Sequence, residues 1–338
     1  MTEAAAVRLE QWRPLAEAGT ALDVAEEMTA LTLELTGKTL FSVDLTREAQ
    51  TVGTSFTTAN RQFREFTYNP FGLYLVKLDW LPATRRFKGN IARLDDVVQQ
   101  IIAERRALRA DGRGRNQDLL DLLMDARDEE TGAGLSDRQL RNETMTIMLG
   151  GQEPTANLLT WTLYLLWQHP RVRAQLEREV DDVLGGSVPV AEDLPDLAYT
   201  TMVLEESMRL YPPTYAMTRT AQAADVVGGY RVEPGANVTL SPYLTHRHPQ
   251  FWRDPETFDP QRFSRQQKAE RPRYAYIPFG AGPRHCIGNH FAMAEATLVL
   301  AMIAQRYRLH LVPGHPVEVE PLITLRPRHG LRMVVEAR

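Results

Sequence analysis

Apolar positions recur at helical spacing through most of residues 3–210 and at strand spacing only after that. Residues 3–38 read as helix, with Asp23 as a ready N-cap and Val24, Met28, Leu31 and Leu35 on one face of the segment it would start. Residues 58–82 break the rhythm. They are crowded with aromatics (Phe63, Phe66, Tyr68, Phe71, Tyr74, Trp80) that suit either a core cluster or a roof over a bound molecule. Residues 84–110 restore a strong stripe of Phe87, Ile91, Leu94, Val98, Ile101 and Ile102. Arg105, Arg106 and Arg109 stand at its C-terminal end, where cations suit the helix dipole. The basic segment 111–116 reads as a solvated loop rather than a docking patch. Next come a short helix over Leu119–Ala126, a turn at Thr131–Gly134 and a cap at Ser136.

Within residues 137–168, the run from Met145 to Trp167 is apolar on nearly every side, the mark of a helix buried all round. Gly150, Gly151 and Pro154 interrupt it. Proline lacks the N–H and crowds the carbonyl of Gly150 one turn earlier, so the pattern predicts a kink. Glu153 sits at this break. A carboxylate on a buried helix needs a partner or a purpose, which leaves a salt-bridged packing kink and a chemical role both open. A polar helix over 170–184 is followed by one over 197–210, where Glu206 and Arg209 share a face.

Beyond Tyr211-Pro212-Pro213 the β-formers cluster at 226–227, 230–232 and 237–240, between the turns Gly228-Gly229 and Pro234-Gly235. In Thr245-His246-Arg247-His248-Pro249 the histidines read as surface or structural residues rather than ligands. A last helix is expected over 289–306, with Phe291, Ala294, Leu298, Ala301 and Met302 inward. Strands return from Leu309, with a hairpin tip at Pro321–Leu325. The expected fold is mainly α with small β-sheets.

Composition narrows this picture only a little. The chain has 338 residues, of which 43% are hydrophobic and 24% charged, as in an ordinary globular protein. Its net charge of −4 argues against nucleic acid as a main partner. One cysteine excludes a disulfide framework and fits a reducing, cytoplasmic setting. No apolar run is long enough to predict a membrane span, and the first residues lack a signal-peptide pattern.

That cysteine lies in Ile277-Pro278-Phe279-Gly280-Ala281-Gly282-Pro283-Arg284-His285-Cys286-Ile287-Gly288-Asn289. The glycines allow a tight, partly left-handed backbone. A cysteine just before a helix meets unpaired N–H groups that favour its thiolate. Taken alone, a lone cysteine is most often a small buried hydrophobe. Structural zinc needs four ligands, and an iron–sulfur cluster needs several cysteines. One thiolate suffices only for a haem iron, because the porphyrin supplies the other four ligands.

The spacing Phe279-Gly280-x-Gly282-x-Arg284-x-Cys286-x-Gly288 resembles the haem-binding signature of the cytochrome P450 family. The resemblance implies haem b (iron protoporphyrin IX) with Cys286 as the proximal iron ligand. Phe279 would pack beside the sulfur, and Arg284 and Arg219 would reach the propionates. It also implies a structural trio of Glu206, Arg209 and, from Phe258-Asp259-Pro260-Gln261-Arg262-Phe263, Arg262. Glu153 falls on the acid of the family's acid–alcohol pair, in which the alcohol steadies dioxygen and the acid helps deliver protons for O–O cleavage. Pro154 stands where the alcohol is usual. Thr155 comes one residue late, about 100° further round a regular helix.

By the same resemblance, residues 1–338 form one P450-type domain, helix-rich over 1–210 and mixed over 211–338, which lacks the family's usual N-terminal region. The implied activity is insertion of one oxygen atom from O2 into a hydrophobic small molecule. Electrons would come from NAD(P)H through a ferredoxin and its reductase or a flavoprotein. Residues 63–80, 147–158, 213–217 and 322–324 are candidate walls for the substrate. Two other uses stay open. Peroxide-using members also carry proline at position 154, though with arginine rather than glutamate before it. Without the usual N-terminal region, the chain could also be a silent binding protein.

Overall fold

The computed structural model describes residues 1–69, 71–112 and 117–338, with Leu73 described by its backbone alone. Of the basic segment expected at 111–116, residues 113–116 lie outside the described residues. In chain order the elements are α1 (Thr2–Glu10), α2 (Arg13–Glu17), β1 (Ala21–Asp23), α3 (Val24–Leu40), α4 (Ala49–Tyr68), α5 (Gly72–Leu75), α6 (Pro82–Ala110), α7 (Leu119–Asp125) and α8 (Asp137–Gln168). After these come α9 (Pro170–Leu184), α10 (Ala198–Leu210), β2 (Met217–Thr220), β3 (Asp225–Val227), β4 (Tyr230–Val232), β5 (Asn237–Leu240), α11 (Pro242–Thr245) and α12 (Arg265–Glu270). The chain ends with α13 (Asn289–Arg306), β6 (Tyr307–Leu311), β7 (Val319–Pro321), β8 (Leu325–Pro327) and β9 (Arg332–Ala337). Helices dominate and the sheets are small.

These elements gather into two compact units. One comprises Met1–Asn157, Tyr307–Glu318 and Pro327–Arg338; the other comprises Leu158–Arg306 and Val319–Arg326. The division does not fall at residue 210, where the helical pattern gives way to strands.

In the first unit, Asp23 caps α3 by accepting from the N–H of Ala25 at 2.9 Å. Residues 3–38 are not continuous helix, because Ala21–Asp23 leaves the helical path to pair with β9 in the antiparallel sheet β1-β9-β6. The apolar core joins Leu33 and Phe41 to Val52 of α4, Leu94, Val98, Ile101 and Ile102 of α6, Leu120 of α7, and Leu140 and Met148 of α8. Each fully buried side chain of this size contributes about 1.5–3 kcal/mol. The helix α4 was hidden in the pattern because its buried face is made of small and polar residues, Ala49, Val52, Ser55, Ala59 and Asn60. The aromatics of its last turns and of the segment after it do not form a core cluster: Phe63, Tyr68, Phe71, Tyr74 and Trp80 are all exposed. Among the described residues only Phe66 of this group finds an aromatic partner, Phe87, edge-on at 5.7 Å.

The cations at the end of α6 do more than suit a dipole. Arg105 is buried and grips both oxygens of Asp118 at 2.7 Å, together with the carbonyl of Phe41. Asp121 approaches the same guanidinium at 3.1 Å. Burial works to raise the Asp118 pKa, but Arg105, Ser42 and the Asp121 N–H hold it below the usual carboxylate range.

In the second unit, the end of α8 buries Leu158, Leu159, Leu163, Leu165 and Leu166. Trp161 stacks on Tyr211 at 4.2 Å and donates from Nε1 to the Leu325 carbonyl at 3.0 Å. Glu179 of α9 closes the start of α10, accepting from the N–H groups of Tyr199 and Thr200 at 2.6 and 2.7 Å. The strands β2 and β5, β3 and β4, and β7 and β8 form three antiparallel or hairpin pairs, and residues 322–324 make the turn of the last. In α13, residues 295–304 are buried on every face. Phe291 and Ala294, expected inward, are only half-buried.

One residue of α13 stands out. Glu295 is fully buried, and neither carboxylate oxygen has a hydrogen-bond partner among the described residues. Burial raises its pKa well above the ordinary 4.5. The folded protein therefore keeps a proton that the unfolded chain releases, and stability declines as pH rises from that ordinary value toward the folded one. Glu295→Gln should flatten the dependence of melting temperature on pH between about 5 and 7; an unchanged slope would contradict this. In the first unit, Arg105→Met should lower stability by about 3–5 kcal/mol, because it takes away the cation that pairs both oxygens of the buried Asp118. Denaturant unfolding measures the loss, and a change below about 1 kcal/mol would show that the network carries no net stability.

Candidate active site

The loop carrying Cys286 is held mostly by its own backbone. The N–H of Gly280 donates to the Ile277 carbonyl at 3.1 Å, that of His285 to Gly282 at 3.0 Å, and that of Cys286 to Phe279 at 2.9 Å. Gly280 and Gly282 adopt φ of +73° and +68°, a region a side chain resists, so these turns need glycine. Cys286 is exposed, Ile287 beside it is fully exposed, and α13 begins three residues after the cysteine. Phe279 is half-buried in the same loop.

A saturated cation is linked to the loop through His246. Arg209 Nε and Nη2 donate to the two oxygens of Glu206 at 2.7 and 2.8 Å. Its Nη1 donates to the carbonyls of His246 at 3.0 Å and Pro255 at 2.6 Å, and Nη2 to that of Thr257 at 3.0 Å. All five guanidinium donors are thus engaged. Glu206 also accepts from the Asp259 N–H at 2.9 Å and lies 3.5 Å from Arg262 Nε. Burial lifts the Glu206 pKa above its usual value, while Arg209, the Asp259 N–H and Arg262 work against that lift. The structure therefore brings Glu206, Arg209 and Arg262 together. Arg262 sits at the edge of the group, also donating to the Asp254 carbonyl at 2.9 Å.

Arg219 lies on β2 opposite Val238 and donates only to the Thr218 carbonyl at 2.9 Å. Arg284 ends the short turn Gly282–Arg284. Both side chains are exposed, and among the described residues neither pairs with a carboxylate.

Glu153 and Thr155 belong to the first unit, in the middle of α8, and both are buried. The helix continues through Pro154 without ending. Thr155 Oγ1 donates back to the Gly151 carbonyl at 3.4 Å. Packing explains Gly151: an added Cβ would lie 3.2 Å from the Thr36 side chain of α3. The same test finds open space at Gly150, so the structure does not explain that residue.

A model of the cytochrome P450 family matches residues 1–331. The chain belongs to the cytochrome P450 family. Cyclooctatin synthase of Streptomyces melanosporofaciens is 40% identical to this P450 over 94% of the chain and 68% of its own length. A cyclooctat-9-en-7-ol 5-monooxygenase of the same organism is 37% identical over 90% of the chain, which spans 64% of that protein. Pentalenene oxygenase of Streptomyces avermitilis is 35% identical over 95% of the chain and 70% of its own length. The crystal structure of the cytochrome P450DA heme domain covers the whole chain with a TM-score of 0.87 at 32% identity, and the chain covers 72% of it. This is an enzyme family of monooxygenases.

The residues of this P450 fit the haem its family implies. Among the described residues no group of three His, Cys, Asp or Glu side chains is placed to hold a metal; a haem iron needs no such group, since one protein sulfur and the macrocycle suffice. Cys286 is exposed, the neighbouring Ile287 offers apolar surface, and Arg219 and Arg284 are exposed without a carboxylate partner among the described residues. Sequence reasoning took His246 as a surface or structural residue, and the structure shows it to be structural and in contact with this loop. His246 touches the loop across 31 residues, and only its place in Thr245-His246-Arg247 drew attention to it.

Replacing Arg209 by lysine keeps the charge but leaves at most three donors for five acceptors. Arg209→Lys should cost about 3 kcal/mol or more of unfolding free energy, since charge-assisted bonds contribute about 1.5–3 kcal/mol each. It should also lower haem content in the purified protein. Wild-type stability and haem content together would refute the role given to this cation.

Proposed function

We propose that this P450 is a haem-thiolate monooxygenase that inserts one oxygen atom from O2 into a hydrophobic, terpenoid-type small molecule. The observation that carries the reading is an accessible sulfur on a glycine-tightened loop, beside a buried arginine with every donor engaged. Haem, when bound, supplies a redox-active iron, and a thiolate ligand favours O–O cleavage. The protein's own residues do the rest. Cys286 provides the thiolate, and Phe279 packs beside it. Arg219 and Arg284 bind the propionates, and their lack of competing carboxylates supports this. Glu153 helps deliver protons, and Thr155 offers the hydroxyl.

The substrate class follows the names of the relatives, two of which are oxygenases of cyclooctat-9-en-7-ol and pentalenene. Exposed Phe71, Tyr74 and Trp80 supply apolar surface suited to such a molecule. Electrons come from NAD(P)H through a ferredoxin and its reductase or a flavoprotein. The protein works in the cytoplasm; among the described residues no helix is long and apolar enough to cross a membrane.

A peroxide-driven reaction on the same haem is the second reading. Pro154 occupies the usual alcohol position, and the Thr155 hydroxyl is turned back onto Gly151.

Two measurements test these readings. The reduced carbonyl complex should show the Soret band of thiolate ligation, and Cys286→Ala should abolish it; a band that survives would overturn the ligand assignment. Turnover of a terpenoid substrate with O2, NAD(P)H and a redox partner should add one oxygen atom. Product formed with hydrogen peroxide alone would select the second reading.

A further inference from the structure

His246 follows α11 and is completely buried. Its ring and its backbone face different partners. The carbonyl accepts from Arg209 Nη1 at 3.0 Å, and Nε2 accepts from the N–H of Ile277 at 2.9 Å. Ile277 opens the loop. Its carbonyl accepts from Gly280, and two residues on, the Phe279 carbonyl accepts from the N–H of Cys286. Among the described residues, His246 is the one side chain that hydrogen-bonds the backbone of residues 277–288.

Two anchored aromatic rings lie against the imidazole. Tyr276 lies 5.0 Å from it, centroid to centroid, and Trp252 lies edge-on at 6.5 Å. Tyr276 is anchored through its hydroxyl to the Glu205 carbonyl at 2.9 Å, and Trp252 through Nε1 to that of Ala275 at 3.3 Å. Nε2 can accept only while the ring is neutral with its proton on Nδ1. Nδ1 lies beside the carbonyls of Met208 and Arg209 but meets neither at hydrogen-bond geometry. Burial, with the nearby charges of Arg209 and Arg247, pushes the His246 pKa down to about 3, so the acceptor is present at any ordinary pH.

We propose that His246 is a positioning residue that couples the immobile Arg209 guanidinium to the start of the Cys286 loop, and so helps hold Cys286 Sγ in place as the iron ligand. This rests on the reading of Cys286 as that ligand. A ring that merely filled space would serve equally well as phenylalanine. A ring that anchors Ile277 would not, because phenylalanine leaves that N–H without its acceptor. Glutamine can restore an acceptor near the position of Nε2 while losing the aromatic packing.

The test uses the haem-loaded full chain, wild type beside His246→Phe and His246→Gln. Hydrogen exchange is followed at the Ile277 amide, and the reduced carbonyl spectrum reports the share of thiolate ligation. In His246→Phe the Ile277 amide should exchange about tenfold faster, the factor for one hydrogen bond of ordinary net strength. Part of the carbonyl complex should leave the thiolate position. His246→Gln should recover both. The proposal fails if His246→Phe matches wild type in both readouts, or if His246→Gln recovers neither. Should His246→Phe not fold, wild type alone still decides: an Ile277 amide that exchanges at the rate of an unprotected one refutes the anchor. A thiolate band that survives Cys286→Ala refutes the ligand assignment instead, and that result is independent of exchange at Ile277.

Discussion

The buried guanidinium of Arg209 is the interaction on which the candidate site depends. Three stretches that cannot otherwise register against one another meet there: the face of α10 that carries Glu206, the irregular run from Pro255 to Asp259, and His246. A buried ion pair contributes less net stability than its short distances suggest, since both charges give up water. Its value here is geometric. A planar fork with five donors and five acceptors has one arrangement that leaves nothing unpaired, so any slip of these segments strands a buried polar group. Lysine, a point charge on a flexible stem, could not impose that registration. The aromatic surroundings add to it: Arg209 lies 5.0 Å from the Trp252 ring centre, and Arg271 4.4 Å from both Trp252 and Phe263.

The candidate chemistry is unevenly supported along the chain. Around Cys286 the loop, its arginines and its foundation satisfy what one thiolate ligand requires. In α8 the pattern departs from the family's usual pair. Proline replaces the expected alcohol, and the next hydroxyl, on Thr155, is occupied by the carbonyl of Gly151. A helical threonine with no stronger acceptor commonly bonds back in this way. The neighbouring glycine has a separate reason to exist, since α3 approaches too closely there for a side chain to fit comfortably. Gly151 in α8 therefore serves packing whatever the chemistry, which is why Glu153 alone could not reveal its role from the pattern.

Much of the fold was legible because long amphipathic or uniformly apolar runs leave few alternatives. The helices at 137–168, 170–184 and 289–306 fall where the pattern puts them, with Pro170 starting α9 and Gly185 ending it in the left-handed conformation. What failed to show did so for identifiable reasons. The buried face of α4 is made largely of alanine, serine and asparagine, which carry little hydrophobic signal. The short strand at Ala21–Asp23 exists only because β9, some 300 residues later, is there to pair with it. Phe63, Tyr68, Phe71, Tyr74 and Trp80 look like core by composition, yet all are exposed. Nothing in a local pattern reports whether a neighbouring element covers them.

The sequence by itself determined the candidate ligand: a lone cysteine among glycines and arginines at the spacing that resembles a haem-thiolate loop, with a Glu-x-x-Arg turn as its expected support. Those are covalent facts of residue type and spacing, legible without a fold. The tertiary structure alone decided which groups are satisfied. It filled all five donors of Arg209 with partners drawn from three separate segments. It left both oxygens of Glu295 without partners among the described residues. It turned His246 from one histidine among eight into the hydrogen-bond acceptor beneath Ile277. Hydrogen-bond satisfaction and desolvation depend on what the rest of the chain brings within a few ångströms, and spacing along the sequence does not encode that.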